Sequence, residues 1–285
     1  LRAPTEPVVM VTVNGSGGSS LWINGVKTAY AATGAVSITS HCSGADAFIT
    51  SALSGDYNPN FRCSDHWIID KAVNDTDAQA ISDALLADYG ISASYTNNIV
   101  HIGDSIVDGS TATLNRTIGS YVLPSLTTAA RYFAMGVGGK SLASMYTDRA
   151  SVEGTMFASG KTNILLLDGG INDITAGTTA SALYTTLTNY VSWAQGQGWT
   201  VGVVTLLPQN AVSGSTYDTP RLSYNGMVTG NAAGADFIID RASNATMGGV
   251  YTVADDTTLY ADKIHPTALG NSYLGPDYVA AINAL

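Results

Sequence analysis

The sequence predicts an α/β fold, in which a parallel sheet carries helices on both faces, over roughly its last two thirds. In this part of the chain, short apolar runs of strand length alternate with longer segments of helical periodicity, which is the signature of repeated βαβ units. The runs of strand length lie at residues 99–102, 132–135, 163–167, 200–206 and 236–239.

The clearest helix in this region is predicted over residues 180–197. Apolar side chains recur there at the spacing that places them on one helical face, as expected when a helix packs on a sheet. They are Leu183, Leu187, Tyr190, Val191 and Ala194.

The first third of the chain predicts a different, β-rich domain. Short apolar or alternating runs at residues 8–13, 21–26, 35–40 and 66–70 are separated by residues typical of turns, including an Asn24-Gly25 pair that favours a hairpin. A helix predicted over residues 75–89 closes the region. We therefore expect two domains, a small β-rich one over residues 1–96 and an α/β domain over residues 97–285.

Composition excludes several classes of function. The chain carries a formal net charge of −10 and has a pI near 4.5, which argues against binding the phosphate backbone of a nucleic acid. No apolar run approaches the roughly 18 to 20 residues that span a bilayer.

Cys42 and Cys63 are spaced so that a disulfide could close the loop between them. With the low lysine content, this predicts an extracellular or periplasmic location.

Chemically active residues follow the predicted strands at their carboxyl ends, the edge where open parallel sheets bind ligands. Gly103-Asp104-Ser105 follows the first strand, and residues 169–173, with sequence GGIND, follow the third. A third segment, Asp262-Lys263-Ile264-His265, precedes the last helix. Three separate segments could therefore meet at one edge.

These segments contain the residues of a nucleophilic serine site. A serine hydroxyl needs a base to remove its proton, and a carboxylate that orients the imidazole strengthens that base. Of the four histidines, His41 and His66 belong to the first domain and His101 lies in a predicted buried strand. This leaves His265 as the base, with Ser105 as nucleophile and Asp262 as the orienting acid.

Each of these residues also fits a structural role when taken alone. Ser105 is a suitable helix N-cap, Asp262 could cap the last helix, and His265-Pro266 could form a turn. Asp104 could in principle ligate a metal together with Asp173, although structural hydrogen bonding suits it better. We interpret Arg131 as a solvated charge. The joint occurrence of serine, histidine and aspartate favours the catalytic interpretation.

Acyl transfer also requires hydrogen-bond donors for the developing oxyanion. The candidate donors are the backbone N–H of Ser105, the backbone N–H of Gly139 and the side-chain amide of Asn172. Gly139 lies in the run GVGGKS at residues 136–141, after the second predicted strand, and Gly138 in the same run is an alternative.

Together these four segments resemble the ordered blocks of the SGNH, or GDSL-type, hydrolase family. Gly103-Asp104-Ser105-Ile106 resembles the first block, with Ile where the family name has Leu, and GVGGKS resembles the second. Gly170-Ile171-Asn172-Asp173 resembles the third, and Asp262 with His265 the last. The resemblance implies a flavodoxin-like three-layer α/β/α fold for residues 98–285, and hydrolysis of esters without a metal or other cofactor.

The first domain resembles, more faintly, part of a concanavalin A-like or laminin-G-like jelly roll. The resemblance depends on residues 66–72, the helix predicted after them and the run at residues 21–26. Trp22 and Trp67 could stack on a sugar, although aromatic side chains on strands more often belong to the core. A lectin-like domain makes a carbohydrate ester a candidate substrate. We therefore expect a serine esterase acting on small-molecule or carbohydrate esters, such as O-acetylated sugars or short-chain esters. The alternative is a glycan-binding or adhesive surface protein whose hydrolase-like domain is catalytically idle.

Overall fold

The structure is a computed structural model, and it describes residues 10–15, 18–23, 26–28, 95–111, 117–211 and 214–285. The chain divides into two units, with the boundary between residues 93 and 94, and each is described by itself. The predicted strands at residues 35–40 and 66–70, the predicted helix at 75–89 and the pair Cys42 and Cys63 lie outside the described residues.

The described part of the N-terminal unit is a three-stranded antiparallel sheet. Its strands are β1 (Met10–Gly15), β2 (Gly18–Ile23) and β3 (Val26–Thr28), in the order β1-β2-β3. Ile23 pairs with Val26, so Asn24 and Gly25 connect β2 to β3. Strand β2 begins three residues earlier than predicted, because its backbone pairing with β1 extends to Gly18, which pairs with Gly15.

The C-terminal unit is built on a five-stranded parallel sheet, which confirms the predicted α/β class. Its strands are β4 (Asn97–Gly103), β5 (Ala130–Gly136), β6 (Thr162–Asp168), β7 (Thr200–Val204) and β8 (Phe237–Ile239). The strand order is β5-β4-β6-β7-β8, which is the flavodoxin-like order. All five predicted runs coincide with these strands, although β7 ends at Val204 rather than at residue 206.

The sheet forms the centre of the core. Ile164, Leu165, Leu166 and Leu167 of β6 are all almost completely buried. A strand with successive buried residues is covered on both of its faces, as in parallel sheets with helices on either side. The apolar run that predicted this strand therefore reflects its central place between two helical layers.

Seven α-helices accompany the sheet in the described residues, and six of them contact one another in two groups. One group contains α2 (Ile118–Val122) and α7 (Ala268–Asn283), and the other contains α3 (Leu142–Asp148), α4 (Ile171–Thr175), α5 (Ala180–Gly196) and α6 (Gly214–Thr229). Helix α5 buries the face predicted for it, including Leu183, Leu187 and Tyr190. Among the helices described, none is both long enough and apolar enough to cross a membrane.

The remaining helix, α1 (Ser105–Asp108), packs directly on the carboxyl ends of β4 and β5. This close approach depends on two glycines that pair in register, Gly103 and Gly136. A Cβ atom added to Gly136 would lie 1.9 Å from the backbone nitrogen of Asp108. Only glycine therefore allows α1 to lie across these two strands.

We expect Gly136→Ala to destabilise the C-terminal unit by about 1–3 kcal/mol, because the added methyl group must displace the backbone of α1. Chemical denaturation of the variant and the unchanged protein measures the difference. Gly138→Ala is the matched control, since an added Cβ there has no atom within 4 Å, and it should change stability by less than about 0.5 kcal/mol. Equal stability of the two variants would contradict this account of α1.

Candidate active site

The structure brings Ser105, His265 and Asp262 into one hydrogen-bonded chain. Ser105 Oγ lies 2.7 Å from His265 Nε2, and His265 Nδ1 lies 2.6 Å from Asp262 Oδ2. The imidazole therefore contacts the hydroxyl through one ring nitrogen and the carboxylate through the other. Segments 160 residues apart in the chain meet at this point.

Ser105 is held at the start of α1, immediately after β4. The N-cap of this helix is Asp104, whose carboxylate accepts a hydrogen bond from the backbone N–H of Ile106 at 2.9 Å. The structural role considered for Ser105, that of an N-cap, therefore belongs to its neighbour. The Ser105 hydroxyl is left to contact the imidazole.

His265 and Asp262 occupy a turn before α7, and the Asp262 carboxylate stabilises this turn by accepting hydrogen bonds from backbone N–H groups within it. Asp262 Oδ1 accepts hydrogen bonds from the N–H groups of Ile264 at 3.1 Å and His265 at 2.9 Å, while Oδ2 contacts the ring. Lys263 adopts a left-handed conformation with φ of 67°, and its carbonyl accepts a bond from the N–H of Asn210 at 2.9 Å. The same carboxylate thus shapes the turn and orients the imidazole.

The surroundings of Asp262 favour its ionised form. Partial burial raises the pKa of this carboxyl, but the hydrogen bonds and charge of His265, together with the Ile264 N–H, outweigh that effect and lower the pKa below 3.8. The Asp262 side chain is 46% exposed and that of His265 is 16% exposed. The acid is therefore a solvated carboxylate at neutral pH.

The candidate oxyanion donors lie on segments that follow the neighbouring strands β4, β5 and β6. Gly139 is exposed and has φ of 73°, a conformation that favours glycine, in the loop between β5 and α3. The side-chain amide of Asn172, in the first turn of α4, donates a hydrogen bond to Lys140 O at 3.0 Å. The N–H of Val137 donates to Gly103 O at 3.0 Å. Hydrogen bonds therefore join the Ser105, Gly139 and Asn172 segments.

A buried ion pair that the sequence did not reveal lies at the carboxyl end of β6. Asp168 accepts hydrogen bonds from Arg241 Nη2 at 2.6 Å and Nη1 at 2.8 Å, and both side chains are 1% exposed. Tyr278 donates to the same carboxylate at 2.9 Å, and His101 Nε2 lies 3.1 Å from it. The sequence feature that could have indicated this pair is Asp168 itself, an acidic residue at the end of an otherwise apolar strand.

Charge compensation keeps Asp168 ionised. Burial raises the pKa of this carboxyl, but Arg241 and hydrogen bonds from His101 and Tyr278 outweigh burial and hold it below 3.8. Asp104 has no such partner in close contact, and burial, followed by the charge of Asp168, raises its pKa to about 7. Two acidic residues in this region therefore differ in ionisation at neutral pH.

The interpretation of Arg131 made from the sequence is wrong. Arg131 is not solvated, because its side chain lies over the ring of Tyr95, with the guanidinium carbon 4.6 Å from the ring centre, and is 8% exposed. No local pattern in the sequence indicates this stacking partner. In the described ranges, no group of three His, Cys, Asp or Glu side chains is arranged to hold a metal ion.

Comparison with known proteins identifies the fold. No protein-family model and no curated protein matches the chain, but solved structures do. A lipolytic protein of the G-D-S-L family from Veillonella parvula DSM 2008 is 21% identical with a TM-score of 0.57, and the match covers 67% of this chain and 100% of that one.

Two further solved structures are similar. The esterase EstA from Pseudoalteromonas sp., described as inhibited by monoethylphosphonate, is 13% identical with a TM-score of 0.51, over 66% of this chain and 97% of that one. TesA is 16% identical with a TM-score of 0.50, over 63% of this chain and 94% of that one. The C-terminal unit therefore has the SGNH hydrolase α/β fold, as the sequence resemblance implied.

We expect Arg241→Met to destabilise the C-terminal unit by about 3–5 kcal/mol, because it leaves the Asp168 carboxylate buried without its countercharge. The free energy of unfolding in urea at neutral pH measures this loss. Lys263→Met removes a cation from an exposed ion pair with Asp255 and serves as the control, for which we expect no comparable loss. A similar loss in both variants would show that the buried pair has no special role.

Proposed function

We propose that this chain is a carboxylic ester hydrolase that forms an acyl-enzyme intermediate on Ser105. The observation that carries the proposal is the continuous hydrogen-bonded chain from Ser105 through His265 to Asp262, at the ligand-binding edge of an SGNH hydrolase fold. The arrangement matches the roles of nucleophile, base and orienting acid that define such sites on unrelated folds.

In the proposed reaction, His265 Nε2 takes the proton of the Ser105 hydroxyl while Oγ attacks the ester carbonyl carbon. The tetrahedral intermediate collapses, the proton passes from the imidazole to the departing alcohol, and the acyl group stays on Oγ. A water molecule, deprotonated by the same imidazole, then releases the acid and restores Ser105. Asp262 stabilises the imidazolium in both halves of the reaction.

The oxyanion hole in this proposal consists of the backbone N–H groups of Ser105 and Gly139 and the side-chain amide of Asn172. An amide side chain carries two N–H bonds. One of those on Asn172 donates to Lys140 O, which fixes the amide plane, and the other serves the oxyanion. The reaction balances with water as its only co-substrate, and it calls for no cofactor.

The proposed substrates are short-chain esters or O-acetylated carbohydrates. Support for the carbohydrate is the lectin-like resemblance of the N-terminal region, for which we propose an accessory role over residues 1–96, beside a catalytic domain over residues 97–285. An extracellular or periplasmic location is part of the same proposal and is supported by composition. Acetyl groups on a polysaccharide would be accessible to an enzyme in either place.

We expect Ser105→Ala to lower kcat by at least about 10³-fold, because no other group in the site replaces the nucleophile. Hydrolysis of p-nitrophenyl acetate by both proteins, with circular dichroism as the check on folding, measures this loss. A fluorophosphonate probe should label the unchanged protein covalently and leave Ser105→Ala unlabelled. Equal activity of the two proteins would show that Ser105 is not the nucleophile.

The same assay separates the substrate classes. A high ratio of p-nitrophenyl acetate to p-nitrophenyl octanoate hydrolysis, together with acetate release from an acetylated oligosaccharide, is expected for a carbohydrate acetylesterase. Preference for the octanoate would contradict this substrate class. Folded protein that neither hydrolyses esters nor reacts with the probe would support the alternative, a glycan-binding protein with an idle hydrolase-like domain.

We expect Asp262→Asn to lower kcat by up to about 10⁴-fold with little change in folding. The asparagine oxygen can still accept the backbone bonds of the turn, but its amide group would face Nδ1 as a donor and favour the wrong tautomer. Partial burial raises the pKa of Asp262, but the hydrogen bonds and charge of His265 hold it below its usual range, so its carboxylate is charged at neutral pH. Hydrolysis of p-nitrophenyl acetate at neutral pH measures the loss, and an Asp262→Asn variant whose kcat stays within about threefold of the unchanged protein would contradict this role.

A further inference from the structure

We propose that Asp173 is a positioning residue of the oxyanion hole, which holds the Gly139 loop against the helix that carries Asn172. This inference rests on the proposed function and extends it to a residue that does not contact the substrate. Its evidence is a set of hydrogen bonds between two adjacent residues of α4 and the segment that runs from Gly139 into α3.

The Asp173 carboxylate reaches from α4 to the beginning of α3. Oδ2 accepts a hydrogen bond from the backbone N–H of Leu142 at 2.8 Å, and Oδ1 lies 3.5 Å from the backbone nitrogen of Ala143. The first N–H groups of a helix lack partners within the helix, and a carboxylate there is electrostatically favourable. Asp173 is 5% exposed, so little water competes for these bonds.

Asn172 holds the same segment at a neighbouring point, since its side-chain amide donates to Lys140 O at 3.0 Å. Lys140 directly follows Gly139, and Leu142 is two residues further along. Two successive side chains of α4 therefore hold a carbonyl and an N–H group of one short stretch of backbone. This arrangement fixes the separation between the Gly139 and Asn172 segments.

The Gly139 turn has few contacts of its own. Gly138 and Gly139 are exposed, and a Cβ atom added to either would have no atom within 4 Å. The turn is closed by the bond from Lys140 N–H to Val137 O, and its entry is attached to β4 through the bond from Val137 N–H to Gly103 O. Asn172 and Asp173 therefore connect the residues that follow this turn to α4.

Capping of α3 does not by itself account for the hydrogen bonds that Asp173 accepts from this helix. The N-cap of α3 is Ser141, whose hydroxyl oxygen accepts a hydrogen bond from the N–H of Ser144 at 3.1 Å. Asp173 adds a bond from a different helix, which a cap within α3 cannot supply. The two residues thus stabilise the same helix end, but only Asp173 connects it to α4.

We expect Asp173→Ala to lower kcat for p-nitrophenyl acetate by about 10- to 100-fold while KM changes less than about threefold. Displacing an oxyanion donor by about 1 Å weakens transition-state binding more than substrate binding. Asp173→Asn should recover part of the loss, because its amide oxygen can accept the Leu142 bond. Ser141→Ala is the matched control and should keep kcat within about threefold of the unchanged protein.

A double-variant comparison tests whether Asp173 acts through the oxyanion hole. In an Asn172→Ala background, Asp173→Ala should cost at least about threefold less in kcat than it does alone, because one of the donors it positions is already lost. The same fold loss in both backgrounds would overturn the inference. Thermal unfolding of each variant establishes that it is folded at the assay temperature, and Asp173→Asn serves in place of an unfolded alanine variant.

The outcomes separate this inference from the proposed function. Loss of hydrolysis in Ser105→Ala with unchanged kcat in Asp173→Ala would overturn the positioning role alone. Full activity in Ser105→Ala would instead overturn the proposed function. An equal fall in kcat for Asp173→Ala and Ser141→Ala would also overturn the positioning role, because it would assign the effect to the stability of α3.

Discussion

The pairing of β4 with β5 on one side and β6 on the other is the constraint on which the site depends. The three strands are parallel and in register at their carboxyl ends, where Gly103 lies beside both Gly136 and Asp168. The segments that leave these ends carry Ser105, Gly139 and Asn172, so strand pairing alone places them at one edge. Because Gly136 leaves room for α1 across the ends of β4 and β5, the packing of this helix fixes the position of Ser105, its first residue.

The buried pair of Asp168 and Arg241 connects this edge to the rest of the unit. Arg241 follows β8, donates to Thr205 O after β7 and binds the carboxylate that ends β6. One guanidinium thus links the carboxyl ends of three strands. Tyr278 also donates a hydrogen bond to Asp168, which connects these strands to α7, the helix that follows the His265 turn. An ion pair of this kind contributes little net stability, because the cost of desolvating both charges offsets their attraction. Removing one partner is strongly destabilising, because the other charge is left buried without compensation. Removal of either partner therefore costs more stability than the intact pair contributes.

Local patterns were sufficient to predict the sheet and to single out three residues that hydrogen bonds join, but not the other contacts between distant segments. The buried run from Ile164 to Leu167 has the length and composition of a central strand, and Ser105, Asp262 and His265 lie in short motifs at strand or helix ends. The five-stranded parallel sheet is confirmed, whereas the catalytic roles stay predictions. Arg131 was wrongly interpreted, because its stacking on Tyr95 depends on tertiary packing. The Asp168 and Arg241 pair spans 73 residues and leaves no periodic trace in the sequence.

The acidic residues near the nucleophile show why their roles cannot be exchanged. Asp104 adjoins Ser105 in sequence, but it is 1% exposed and its pKa is raised to about 7, so a substantial fraction is neutral at neutral pH. A neutral carboxyl cannot stabilise an imidazolium as a carboxylate does. Asp262 lies 157 positions after Ser105, yet its partial exposure and its hydrogen bonds keep it ionised. The buried acid caps a helix and the partly exposed acid contacts the imidazole. The greater desolvation of Asp104 contributes to the opposite directions of the two pKa shifts.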